Sequence, residues 1–216
     1  MPIASPIITV PLATDAGAFL KRHIVAFFMP NGMTPALWAQ RVNGAAVNVQ
    51  GHRPSIFQVT QVANANVHHR GRVYGWSGGG NFYQVSPNGA GDGTAYFLPW
   101  NVDSAYSLVI GNDASLFFNA LMNGCSFGWN PGNGTVRVAH HNIRSSQGST
   151  DNAAMLDAMS GYQGRLMRDD YRNLANGSGQ ATVIGVRVNG QWQIWSQVFS
   201  RPSPGRYNIL SVRRLL

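Results

Sequence analysis

The chain carries a single cysteine, Cys125, within "NALMNGCSFGWNPGNGTVRVAHHN" (119–142), ahead of a glycine-rich turn that leads to the adjacent pair His140 and His141. A thiol of ordinary pKa ~8.5 is only a few per cent thiolate at neutral pH, and a neighbouring imidazolium raises that fraction. Together the two groups make a nucleophile with its own proton shuttle. Read as a hairpin, "SLFFNALMNGCSF" turns at Pro131-Gly132-Asn133-Gly134 and returns as "TVRVAHH". With Gly132 and Asn133 at the centre of the turn, Trp129 faces Val136, Phe127 faces Val138 and Cys125 faces His140. Facing Cβ atoms in an antiparallel pair lie ~4.5–5.5 Å apart, within reach of a thiol and an imidazole. Pairing with His141 needs a one-residue slip that turns every side chain to the other face, so the spacing selects His140. Gly124 has no Cβ, so the backbone can bend there and a substrate can come close. A third group is needed to orient the imidazole. Because the chain has no glutamate, that group is an aspartate, an amide or a main-chain carbonyl. Asn119, upstream of Cys125 with the same strand parity, is the candidate, through its side chain or its carbonyl. The competing reading is that Cys125 is an inert small hydrophobe in a core strand, since free cysteine is among the most buried residue types.

Other chemistry-bearing residues form weaker patterns. "VHHRGR" (67–72) and the His140-His141 pair raise the question of a metal site, but adjacent strand residues point to opposite faces and no further Cys or Glu completes a set, so none is expected. "RGRVYGWSGGGNFYQV" interleaves basic, aromatic and glycine residues in the manner of single-stranded nucleic-acid binders. The full RNA-recognition strand signature is absent, and a loop over the site or a partner-docking edge is the better use. Trp100 and Trp192 fall inside strand patterns and are expected in the core rather than in a sugar site. Asp169 and Asp170 are neighbours on a helix and do not face each other, so they are expected in solvent.

The elements that must position these groups are mostly strands. Apolar runs bounded by Gly, Asn and Pro mark strands at 23–29, 45–50, 56–62, 71–76, 82–85, 94–100, 105–111, 115–122, 135–141, 181–188, 191–199 and 207–215. Asn189-Gly190 between the strands at 181 and 191 is a type I′ hairpin signal. "STDNAAMLDAMSG" reads as a helix with Ser149 or Thr150 at its N-cap, and "LMRDDYRNLA", "DAGAFLKR" and "TPALWAQR" read as shorter ones. The expectation is an α+β fold in one domain spanning 1–216, a mostly antiparallel sheet or sandwich flanked by a few helices. A chain of 216 residues with 44% hydrophobic content is long enough to bury a core. It has 16 basic against 8 acidic residues, the acids all aspartate and Lys21 the sole lysine. The arginines are dispersed with no basic run, so a solubilising surface is expected over a nucleic-acid one. Scarcity of lysine reflects codon usage or suits work in a eukaryotic cytosol, where it limits ubiquitination. No apolar stretch reaches the ~18 residues of a membrane span, and the N-terminal segment lacks the features of a Sec-type signal peptide.

Three stretches carry a resemblance. "LPW" (98–100), "LFFNALMNGC" (116–125) and "VRVAH" (136–140) resemble the toxin-type glutamine deamidases typified by Burkholderia lethal factor, a group whose Gly-Cys then His order is shared by the catalytic domain of cytotoxic necrotizing factor and by the chemoreceptor glutamine deamidases. The resemblance covers residues 98–142, with "MNGC" standing where the family has "LSGC". It implies Cys125 as nucleophile, His140 as general acid and base, and Asn119 at the position where the family has a threonine that orients the histidine. It further implies main-chain N–H groups of Gly124 to Ser126 holding the oxyanion, no metal and no organic cofactor. The implied activity is hydrolysis of a protein glutamine side chain to glutamate, with transglutamination as a side activity when an amine replaces water. The implied setting is a secreted bacterial effector acting in host cytoplasm, as a monomer, against a regulator such as the translation machinery or a Rho GTPase. The alternatives are a protein of the bacterial cytoplasm and a non-catalytic basic domain that binds nucleic acid or an acidic protein, with Cys125 buried and inert.

Overall fold

Apolar runs punctuated by Gly, Asn and Pro become strands in the computed structural model, which describes residues 8–28, 54–69, 79–87, 93–100 and 103–216. In chain order come α1 (Thr9–Arg22), β1 (Ile24–Phe27), β2 (Ser55–Gln61), β3 (Asn66–His69), β4 (Phe82–Pro87), β5 (Gly93–Leu98), β6 (Ser104–Ile110) and β7 (Leu116–Asn119). There follow β8 (Ser126–Pro131), β9 (Val136–Asn142), α2 (Asn152–Ala158), β10 (Gly164–Leu166), α3 (Arg168–Arg172) with a 3-10 turn Asn173–Ala175, β11 (Gln180–Val188), β12 (Gln191–Ser203) and β13 (Arg206–Arg214). A nine-stranded sheet has the order β1-β4-β2-β5-β7-β11-β12-β13-β3 and a four-stranded sheet the order β10-β8-β9-β6. Most pairings are antiparallel, as expected of this α+β fold, while β1/β4, β5/β7 and β13/β3 run parallel.

The large sheet is covered on both faces, which is why β7 reads as an unbroken apolar run rather than an alternation. Phe117, Val183, Ile194 and Val198 point to the small sheet and meet Leu108, Phe127, Val136 and Val138. Leu116, Phe118, Ile184 and Val186 point the other way, onto Leu12, Ala16 and Leu20 of α1. Buried Gln197 seats the end of that helix: its Nε2 donates to the carbonyls of Leu20 (2.5 Å) and His23 (2.6 Å), and its Oε1 accepts from Val25 N–H (3.2 Å). Asp15, where "DAGAFLKR" begins, has non-helical backbone and caps the segment after it by accepting from Ala18 N–H at 2.8 Å.

The Asn189-Gly190 turn forms as expected, both residues taking positive φ, 49° and 81°. Several boundaries differ from the sequence reading. The helix after the histidines starts later, because the side chain of Asp151, not Ser149 or Thr150, accepts from Ala154 N–H at 2.9 Å. Strands β3 and β10 have no counterpart in the sequence reading; each is short and pairs at a sheet edge. Trp192 is in the core as expected, and Trp100, just after β5, is partly buried, packing against the core on the α1 side of the large sheet while also lining a pocket. Asp170 is exposed yet also holds the start of α3, accepting from Met167 N–H at 2.7 Å. The strands expected at 45–50 and 71–76 and the helix "TPALWAQR" lie outside the described residues.

Candidate active site

The stretch "SLFFNALMNGCSF" is not one strand. β7 ends at Asn119 in the large sheet and β8 starts at Ser126 in the small one, so the chain crosses between sheets in between. The crossing is held at each step: Ala120 N–H donates to Leu98 O (2.9 Å), Leu121 N–H to Phe27 O (2.9 Å), and Met122 exchanges bonds with Ala181 (2.8 and 3.0 Å). Buried Tyr171 pins its far end, its hydroxyl accepting from Gly124 N–H at 2.8 Å and donating to Cys125 O at 3.0 Å. Cys125 therefore sits where a hydrogen-bonded crossing enters β8.

The β8/β9 register also differs from the sequence reading. Phe127 pairs with His140 and Trp129 with Val138, two residues along from the expected partners. The physical reason lies in the turn. Gly134 takes the left-handed conformation at φ 70°, and Gly132 N–H donates to Thr135 O at 2.8 Å, so the turn centres on Asn133-Gly134 rather than Gly132-Asn133. A shift of two preserves the face. Phe127 and His140 are partners in the ladder, whereas Cys125 lies one residue before β8, so the sulfur and the ring are not the facing pair that the sequence reading expects. No hydrogen bond joins the Cys125 thiol to His140 Nε2, which is buried without a partner.

The crossing brings Asn119 to His140 even though the two residues belong to different sheets. Asn119 Oδ1 lies 2.9 Å from His140 Nδ1. The amide orientation follows from its other end, because Asn119 Nδ2 donates to the Ala120 carbonyl at 2.9 Å and a carbonyl can only accept. Oδ1 thus faces the ring, Nδ1 carries the proton, and Nε2 is left as a lone-pair acceptor. Asn119 is 1% exposed and His140 0%. His141, on the opposite face, meets the Tyr162 ring edge-on at 6.0 Å.

Cys125 is 7% exposed and lines a pocket of about 470 Å³. Phe27, Phe28, Trp100 and Leu121 form an apolar wall; Asn123, Arg144, Ser149 and Thr150 form a polar one. Burial pushes the thiol up to about 11, opposed in turn by the Asn123 main-chain N–H and the Arg144 charge. Burial, with a smaller push from His141, holds the His140 ring down at about 3. The resting pair is therefore a neutral thiol and a neutral imidazole. This corrects the expectation of an imidazolium that stabilises a standing thiolate, because a wholly buried ring cannot keep its charge. Chemistry by a neutral thiol and a neutral imidazole requires general-base catalysis, in which the ring takes the thiol proton as sulfur attacks.

The main-chain groups expected to hold an oxyanion are placed as follows. Gly124 N–H is committed to Tyr171. Ser126 is inside β8, fully buried and outside the pocket lining, its hydroxyl 3.6 Å from Met155 Sδ. Cys125 itself, one residue ahead of the β8 ladder, lines the pocket. Sequence reasoning missed Tyr171, Arg172, Asn123 and Arg144. The first two come from a segment far along the chain, with no local signal linking them to Cys125. Among the described residues, no group of three His, Cys, Asp or Glu is placed to hold a metal ion, and no helix is long and apolar enough to cross a membrane. Compared with protein-family models and with curated proteins, the chain matches neither.

Proposed function

We propose that this protein is a cysteine hydrolase that deamidates a glutamine side chain of a target protein. The observation that carries the reading is the 2.9 Å contact between Asn119 Oδ1 and His140 Nδ1, which fixes the ring and leaves its Nε2 unpartnered. The sulfur attacks the carboxamide carbon as its proton passes to Nε2, the gap closing when substrate fills the pocket. The carbonyl electrons move to oxygen. On collapse the C–N bond breaks, His140 protonates the leaving nitrogen, and ammonia departs from a thioester. Water, deprotonated by Nε2, adds to the thioester; the C–S bond breaks, the thiolate regains its proton, and glutamate is released. A primary amine in place of water gives transglutamination.

Neither metal nor organic cofactor enters these steps. The same reading makes the protein a bacterial effector acting in host cytoplasm on a regulatory protein, where one Gln to Glu change replaces a neutral amide with an acceptor-only charge. A second reading draws on the raised thiol pKa and the formal charge of +8: a basic binding domain with an inert cysteine. Host lysate incubated with wild type, Cys125→Ser and His140→Ala, then surveyed by mass spectrometry for Gln to Glu conversion, separates the two. Conversion confined to wild type supports the hydrolase. Identical profiles across all three remove it, and steeply salt-dependent binding to nucleic acid then favours the basic domain.

A further inference from the structure

We propose that the side-chain amide of Asn123 is an oxyanion donor of the Cys125 site and that Arg172 is the positioning residue that aims it. The inference rests on the hydrolase reading of Cys125. Arg172 Nη1 donates to both the Asn123 carbonyl and Asn123 Oδ1, each at 2.9 Å. A guanidinium can only donate, so Oδ1 is the end turned toward it, and Nδ2 is turned away. Asn123 lines the same pocket as Cys125, two residues from the sulfur, and its Nδ2 donates to no described residue. A donor is needed there. Tyr171 takes the Gly124 N–H, and Ser126 lies within β8 outside the pocket lining, so neither supplies a main-chain donor for a tetrahedral oxygen at Cys125. The Asn123 main-chain N–H already supports the sulfur, so the residue serves the nucleophile with its backbone and the oxyanion with its side chain. Arg172 reaches Asn123 from the end of α3, next to Tyr171, so one short helix fixes both sides of the loop.

Two thiol reactions separate this role from shaping of the sulfur. Acylation by p-nitrophenyl acetate forms the S–acyl bond through a tetrahedral oxyanion, expels p-nitrophenolate and passes the thiol proton to His140. Alkylation by iodoacetamide displaces iodide with no oxyanion. The readout is the ratio of the two rates at Cys125, with Cys125→Ser as the blank. Asn123→Ala is expected to lower that ratio about 10²-fold while leaving alkylation near wild type. Arg172→Ala is expected to give part of that loss and Arg172→Lys to restore it. An unchanged ratio in Asn123→Ala overturns the donor, as does a parallel fall of both rates. A lowered ratio in Asn123→Ala with none in Arg172→Ala overturns the role of Arg172. Gln to Glu conversion in lysate is scored separately, so a wild type that acylates but deamidates nothing sinks the hydrolase reading and leaves the donor result standing.

Discussion

The neutral resting state of the thiol and imidazole makes a measurable statement about Cys125. With a pKa of about 11, the thiol near pH 8 is roughly one part in a thousand ionised, against about a quarter for a free cysteine of pKa ~8.5. The deficit in thiolate is therefore roughly 200-fold. A more basic thiolate is intrinsically more nucleophilic, with a Brønsted slope of ~0.4–0.5, which returns roughly a factor of ten to twenty. Iodoacetamide should label Cys125 about 10–30-fold more slowly than a free thiol, and the rate should rise about tenfold per pH unit up to pH ~11. Because Cys125 is the single cysteine, intact mass reports its labelling directly. His140→Ala should leave the profile above neutral pH almost unchanged, since a ring held at about 3 carries no charge there, yet the same variant should abolish turnover. Arg144→Ala should slow labelling, as the guanidinium is one of the two groups that favour the thiolate. A fast, flat profile with an inflection below pH 7 that vanishes in His140→Ala would refute the reasoning. It would mean a standing ion pair that burial has failed to discharge.

Acid should weaken the fold through the same ring. The folded pKa of His140, about 3, lies below the ordinary ~6.5, so between those values the unfolded chain binds a proton that the folded chain does not. Stability is full above pH ~6.5 and falls by about 1.4 kcal/mol per unit down to pH ~3; urea midpoints should show a shallower acid slope in His140→Gln, and equal slopes would sink the idea. Tyr171→Phe strands the part-buried Gly124 N–H and the buried Cys125 carbonyl, and should lower stability by about 1–3 kcal/mol in chemical denaturation while speeding proteolysis of the crossing. A change below about 0.5 kcal/mol would show that water replaces the phenol there. Gly164→Ala puts a Cβ 2.0 Å from the Trp129 indole, so it should cost about 1–3 kcal/mol and alter near-ultraviolet circular dichroism; an unchanged spectrum would contradict the packing.

Local patterns were the legible part. Apolar runs with turn residues at their ends located most strands, and Asn189-Gly190 located its hairpin, because those signals act over a few residues. The partner of His140 was not legible in the same way: the two-residue shift sets Phe127 opposite the ring and leaves Cys125 ahead of the ladder. What failed was everything set by non-local pairing. Spacing alone makes Asn119 a same-strand neighbour of Cys125, whereas it reaches His140 from the other sheet, across a break that the apolar composition of 115–122 conceals. The turn offered two glycines around Asn133, and only the left-handed geometry of Gly134 decides between the registers. Burial of His140, which removes its charge, depends on two sheets and could not be read from "AHH".

The crossing from β7 to β8 has a consequence for how the chain matures. Asn119 is contributed by one layer, His140 by the other, and Cys125 by the bridge, so none of the three is in place until both layers have docked. On the hydrolase reading proposed above, a nascent or partly unfolded chain would hold an unassisted thiol and turn over little. On that reading, activity would report docking more strictly than strand content does, and on gentle heating it should disappear before the backbone signal begins to change.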